Sequence, residues 1–171
     1  MTHEEIESLL PELGRLSDPE LRKGVVETWR LAIERGGWET IEDVPFTLLL
    51  PDSGISLLEH TRTVTQMAIS VAEILAGVNI DHIIAGGLTH DVGKLLEYAR
   101  DGRSVVRSET GKLVRHPVSG YALAMEAGLP VEICHIIAAH SVEGEHVART
   151  PEAIIINHCD FIQFDIAKAS K

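Results

Sequence analysis

The feature of this sequence that restricts its fold most is an apolar run ending on two adjacent ionisable side chains. Ile83, Ile84, Ala85 and Leu88 lead into Leu88-Thr89-His90-Asp91-Val92-Gly93-Lys94-Leu95-Leu96. The run from Ile80 to Leu88 suits a central buried helix. Adjacent side chains on a helix point about 100° apart, so His90 and Asp91 meet one ion only where the backbone or a second ion helps them converge. Alone, such a dipeptide is explained as well by structure or surface as by chemistry. The residues around it decide.

Four other potential ligands recur at comparable intervals, each at or inside an amphipathic segment: His60, His116, His140 and Asp160. His60 opens the segment Leu57 to Leu75, His116 precedes Pro117, His140 closes the run Val131 to Ala139, and Asp160 lies within Ala153 to Ile166. Histidine and carboxylate together suit iron, manganese, zinc or nickel better than calcium or magnesium. Iron and manganese lead, with zinc, nickel, cobalt and magnesium as further candidates. Six donors exceed what one ion normally takes from protein. If all converge, two divalent ions bridged by Asp91 are the economical arrangement.

The ordered series His60, His90-Asp91, His116, His140, Asp160 resembles the HD-domain superfamily of metal-dependent phosphohydrolases. It follows the subset with additional histidines before the final aspartate, a pattern associated with dinuclear centres. His-Asp-x-Gly-Lys at 90–94, His-Pro-x-x-Gly at 116–120 and Pro-Glu-Ala-Ile-Ile-Ile-Asn-His-Cys-Asp ending at Asp160 carry the likeness. It covers residues 57–166 and implies an all-α, HD-type helical bundle. It also implies hydrolysis of a phosphomonoester or phosphodiester, in a nucleotide or related small molecule, by a metal-activated water. In that scheme His60, His90, Asp91 and Asp160 hold one ion, and His116 and His140 hold the second with Asp91 bridging. Some members with this ligand series are diiron oxygenases, so a mixed-valent diiron oxygenase is the alternative. A non-catalytic module sensing a metal or nucleotide is the third reading.

The chain has 171 residues, 44% of them apolar, and a mean hydropathy of +0.09. That balance predicts one soluble domain over 1–171, with an N-terminal helical pair in 1–50 and a metal-binding helical core in 57–166. Met1 to Glu12 has no export signal and no window approaches a membrane span, so a cytoplasmic protein is expected. Cys134 and Cys159, far apart and in apolar surroundings, read as free buried thiols. A net charge of −11 with 15 lysines and arginines excludes general nucleic-acid or anionic-membrane binding. A small anionic phosphate-containing substrate needs only a local basic pocket. Apolar faces on short helices leave room for a homodimer.

In chain order, Glu4–Leu13 has helical apolar spacing. Ser17 or Asp18 then caps a helix with Pro19 in its first turn, running to Gly36-Gly37. Trp29 and Trp38 read as core or cover residues, and Val44–Gly54 as a linker or lid-like loop. Ser56 and Glu59 have the form of a capping box, placing His60 in the first turn, with Val64, Met67, Ala68, Val71 and Leu75 on the buried face. Gly77 ends that helix.

Gly93 lets the backbone turn sharply after the His-Asp pair and brings Lys94 close to the ions. Position and resemblance give Lys94 the role of binding a substrate oxygen, so Asp91 and Lys94 are the catalytic candidates; a solvated helix-end lysine is the plainer reading. Residues Asp101–Leu113 suggest a loop or short β-hairpin near 103–114 over the site. Arg103, Arg107, Lys112 and Arg115 gather there as a solvated loop that can also offer phosphate contacts, and Arg115 joins Lys94 as a substrate-binding candidate. Pro151 opens the last helix, whose apolar run Ala153–Ile156 leaves Asp160 half-buried and in need of a partner. His82, His135, His146, Glu143, His158 and Asp165 are ranked outside the ligand set.

Overall fold

A computed structural model describes residues 1–170. Helix α1 (His3–Leu9) starts at a reciprocal capping box between Thr2 and Glu5. The predicted helix to Leu13 is broken, because Pro11 cannot donate to the preceding turn; Pro11–Arg15 is a separate 3-10 segment. Helix α2 (Pro19–Gly36) is capped by the Asp18 side chain and ends at Gly37 in the left-handed region, φ 69°.

Helix α3 (Leu57–Ala72) begins at Ser56, whose hydroxyl accepts from Glu59 N. It stops before Gly77, and Val71 and Leu75, expected on the buried face, are exposed. The last turn buries Ile69 and Ala72 instead, which leaves Val71 on the outer side of the helix, and Leu75 lies past its end.

Helix α4 (Ile80–Thr89) is buried from Ile83 onward and touches α2, α3, α8 (Val131–Ala139) and α9 (Pro151–Ala169). It is the axis of the bundle. Gly87 makes this crowding possible, since a Cβ there would lie 2.7 Å from Thr65 Oγ1 and 3.2 Å from Thr65 Cα on α3.

After α4 come the short helix α5 (Lys94–Glu97) and a two-stranded antiparallel ribbon, β1 (Tyr98–Asp101) and β2 (Ser104–Arg107). Tyr98 faces Arg107 and Asp101 faces Ser104 in its register. The hairpin therefore starts earlier than predicted, and residues expected at its end form helix α6 (Glu109–Leu113), capped by Ser108. Helix α7 (His116–Glu126) follows with Pro117 in its first turn. Both cysteines are free and buried. Among the described residues no helix is long and apolar enough to cross a membrane.

Candidate metal centre

Helix ends bring five of the six predicted donors inward. His60 lies in the first turn of α3, His116 is the first residue of α7, and His90 and His140 are the residues just past α4 and α8. Asp91 follows His90 in the turn, and Asp160 projects from the body of α9. His60, His90 and His140 are fully buried, and Asp91 and His116 nearly so.

The six side chains fall into two groups sharing one residue: His60, His90, Asp91 and Asp160; and Asp91, His116 and His140. Asp91 divides its oxygens between them. Its Oδ2 is 3.2 Å from His60 Nε2 and 3.5 Å from His90 Nε2, while Oδ1 is 3.2 Å from His116 Nε2 and 3.5 Å from His140 Nε2. Asp160 Oδ1 is 3.1 Å from His60 Nε2.

Hydrogen bonding tests whether these residues fit a cation. His90 Nδ1 lies 2.7 Å from the Gly87 carbonyl and His140 Nδ1 2.7 Å from the Ile137 carbonyl. His60 Nδ1 is 2.9 Å from Gln163 Oε1, and His116 Nδ1 is 2.9 Å from Glu97 Oε2. Every Nδ1 faces an acceptor and so carries its proton, which turns all four Nε2 lone pairs into the same space. There Nε2 of His60 and His90 are 3.3 Å apart, as are those of His116 and His140, and buried Asp91 Oδ1 has no hydrogen-bond partner. Facing lone pairs and an orphaned carboxylate oxygen need positive charge between them. Two nitrogens each about 2.1 Å from a shared ion lie about 3.0–3.4 Å apart, so the spacing fits as well as the chemistry.

Titration behaviour agrees. Burial opposes ionisation of Asp91, yet the Lys94 ammonium and the surrounding imidazoles hold its carboxyl well below the usual range. Asp160 is likewise pulled down against its burial, to about 2, chiefly by His60. Burial pushes His90 down to about 4 and lowers His116, keeping both rings neutral as ligands must be. Burial works against a charge on His60 too, but Asp160 and Asp91 outweigh it and raise its pKa.

Lys94 is buried, and its Nζ is 2.5 Å from Asp91 Oδ2 and 2.6 Å from the Phe46 carbonyl oxygen. Gly93 has φ −61°, so it is not there for an unusual turn. It is there for space: a Cβ would strike the His116 carbonyl oxygen and lie 2.7 Å from Gly120 N.

Asp91, His116, Asp160 and Lys94 open onto a cavity of about 300 Å³. Its other lining residues include Phe46, Leu48 and Leu49, Phe161 and Phe164 of α9, and the basic side chains Arg107 and Arg115. The predicted lid-like loop is thus a wall. The predicted basic cluster splits, since Arg103 lies instead beside Trp38, Asp43 and Arg100, and Lys112 pairs with Glu109. Arg115 also meets Glu143 at 3.3 Å. His146, His158 and Asp165 are exposed, and His135 accepts from Thr150 N.

Sequence reasoning missed Glu97, Gln163 and Phe46. Gln163 sits one turn beyond Asp160, a spacing that puts both on one face of α9, and was the most findable of the three. It also gave Trp29 and Trp38 no part in the site. Their indole nitrogens donate to the Leu88 carbonyl (2.8 Å) and the Leu95 carbonyl (2.7 Å), clamping the turn that carries Asp91 at both ends.

Comparison with known proteins matches residues 57–165 to the family described as HD domain. The chain is 30% identical to a dihydroneopterin 2',3'-cyclic phosphate phosphodiesterase of Methanocaldococcus jannaschii, over 91% of this chain and 67% of that protein. It is 34% identical to a ribonuclease Y of Thermosipho melanesiensis over 63% of this chain, but 18% of that protein. A ribonuclease Y of Fervidobacterium nodosum is 31% identical, again over 18% of its length. No solved structure gives a significant match.

Proposed function

This chain belongs to the HD-domain family and is a phosphoester hydrolase of it, and we propose that its substrate is a small phosphodiester carrying a flat, largely apolar group. The observation that carries this reading is the division of the Asp91 carboxylate between two donor groups in a cavity lined by both basic and aromatic side chains. The names of the relatives, a cyclic-phosphate phosphodiesterase and a ribonuclease, both describe phosphodiester cleavage. A net charge of −11 disfavours a long nucleic-acid backbone, and a cavity of about 300 Å³ suits a small molecule. The chain has 3 phenylalanines, and all of them line this cavity.

His60, His90, Asp91 and Asp160 would hold one divalent ion and Asp91, His116 and His140 a second, with iron or manganese the leading candidates. Such ions supply Lewis-acid polarisation of a phosphoryl oxygen and activation of water. The protein's own groups do the rest. Arg115 and Arg107 approach phosphate oxygens from the rim, and Arg115 can do so as a bidentate fork. Lys94, held above its ordinary pKa by Asp91 against the cost of burial, keeps an ammonium beside the reacting phosphate and offsets charge that builds in the transition state. Phe161, Phe164 and Phe46 hold the apolar group and exclude solvent.

The test is a phosphoester screen. Protein purified without oxygen is reloaded separately with iron, manganese, nickel and magnesium and offered nucleotides, cyclic nucleotides, dinucleotides and sugar phosphates. Products are followed by mass spectrometry beside Asp91→Asn. Hydrolysis of phosphodiesters that disappears in the variant is the expected result. Two bound ions with no hydrolysis of any phosphodiester would overturn the proposal.

A further inference from the structure

Glu97 is a carboxylate with 3% exposure that belongs to neither donor group. Its Oε2 accepts twice from one residue, from His116 N at 2.7 Å and His116 Nδ1 at 2.9 Å. Its Oε1 faces the cavity rim, 3.5 Å from Arg107 and 3.6 Å from Arg115. The position is built for it. Glu97 ends α5, one turn after Lys94, and Gly111 is there because a Cβ would collide with the Glu97 backbone.

The other three rings are treated differently. His90 and His140 use backbone carbonyls, and His60 uses the neutral amide of Gln163. Only His116 among the four has a charged partner at Nδ1. A carboxylate accepting from Nδ1–H pushes electron density toward Nε2 and makes that nitrogen a stronger donor to a cation. The group containing His116 is also the poorer one, with three protein donors against four.

We infer that Glu97 is the positioning residue that makes the second cation position competent, strengthening His116 as a donor and orienting its ring. This rests on the reading that two ions bind. Because the same carboxylate faces Arg107 and Arg115, the two arginines balance its charge in a site that would otherwise be acidic beside the second ion.

The experiment is a titration of metal-stripped protein with Mn²⁺ under calorimetry, with metal content measured by mass spectrometry after gel filtration, for the wild type, Glu97→Gln and Gln163→Leu. Glu97→Gln keeps the shape and one acceptor oxygen, and thermal melting of the ion-free proteins checks that both variants fold. The wild type is expected to bind two ions. Glu97→Gln should weaken the second by about 10–100-fold and leave the first within about twofold. Gln163→Leu should weaken the first instead. Equal weakening of both ions in Glu97→Gln, or no weakening of either, would overturn the inference while leaving the two-ion reading standing. A wild type that binds a single ion would overturn both.

Discussion

Two of the four histidines stand just past helix C-termini and two in helix first turns, and this difference explains how each ring is held. At a C-terminus the last carbonyls have no intrahelical donor. His90 and His140 use this directly: each folds its Nδ1 back onto the carbonyl three residues earlier, at 2.7 Å, and its Nε2 is left pointing inward. A first turn offers spare N–H groups and no spare carbonyl. His60 and His116 must therefore find acceptors elsewhere in the fold, in Gln163 on α9 and Glu97 on α5. Each half of the centre combines one self-oriented ring with one that depends on tertiary structure.

The strongest way to erase the distinction is to remove what both halves share. Asp91→Asn should abolish binding of both ions and lower phosphodiester hydrolysis by about 10³-fold or more, read by metal content and initial rates. Next in size is a change confined to one dependent ring. Gln163→Leu should cost the first ion about 10–100-fold in affinity, and adding it to a protein in which Asp160 is already alanine should cost little more.

Smaller again is a change in the clamp behind the shared turn. Trp29→Phe leaves the buried Leu88 carbonyl without the indole N–H that now satisfies it, which should lower stability by about 1–3 kcal/mol in denaturant unfolding. Both ions should still bind.

The finest test is titration of the ion-free protein by imidazole NMR. His90, depressed by burial, should titrate near 4, and His60, raised by Asp160 and Asp91 against its burial, above its ordinary 6.5. The signs for stability are opposite. The His90 contribution is complete above about pH 6.5 and is lost as pH falls toward 4. The His60 contribution is present below about 6.5 and is lost as pH rises through its raised value. A common midpoint for the two rings would remove the asymmetry.

Much of the site was legible because short-range rules place it. The run Ile83–Leu88 has to be buried, so whatever ends it is carried inside, and His90 and Asp91 end it. Val131–Ala139 delivers His140 by the same rule, and Ser56 and Pro117 mark the helix starts beside His60 and His116. The errors lie where local pattern meets no partner. Val71 lies on the outer side of the last turn of α3 and Leu75 past its end, and Arg103 and Lys112 share composition with Arg107 and Arg115 but point elsewhere.

What the sequence alone determined is the main helices of the bundle, which of their ends carry donors, and the all-α class, because caps, prolines and apolar periodicity act over one or two turns. The orientation of His90 and His140, seen only in the structure, also rests on short-range contacts, since their acceptors lie three residues away. Tertiary structure alone decided that Glu97 and Gln163 orient the other two rings, that Phe46 and Arg115 face one cavity, and that Trp29 and Trp38 clamp the Asp91 turn. Those partners are brought together by burial of the bundle core, and no local spacing records which distant residue that burial will select.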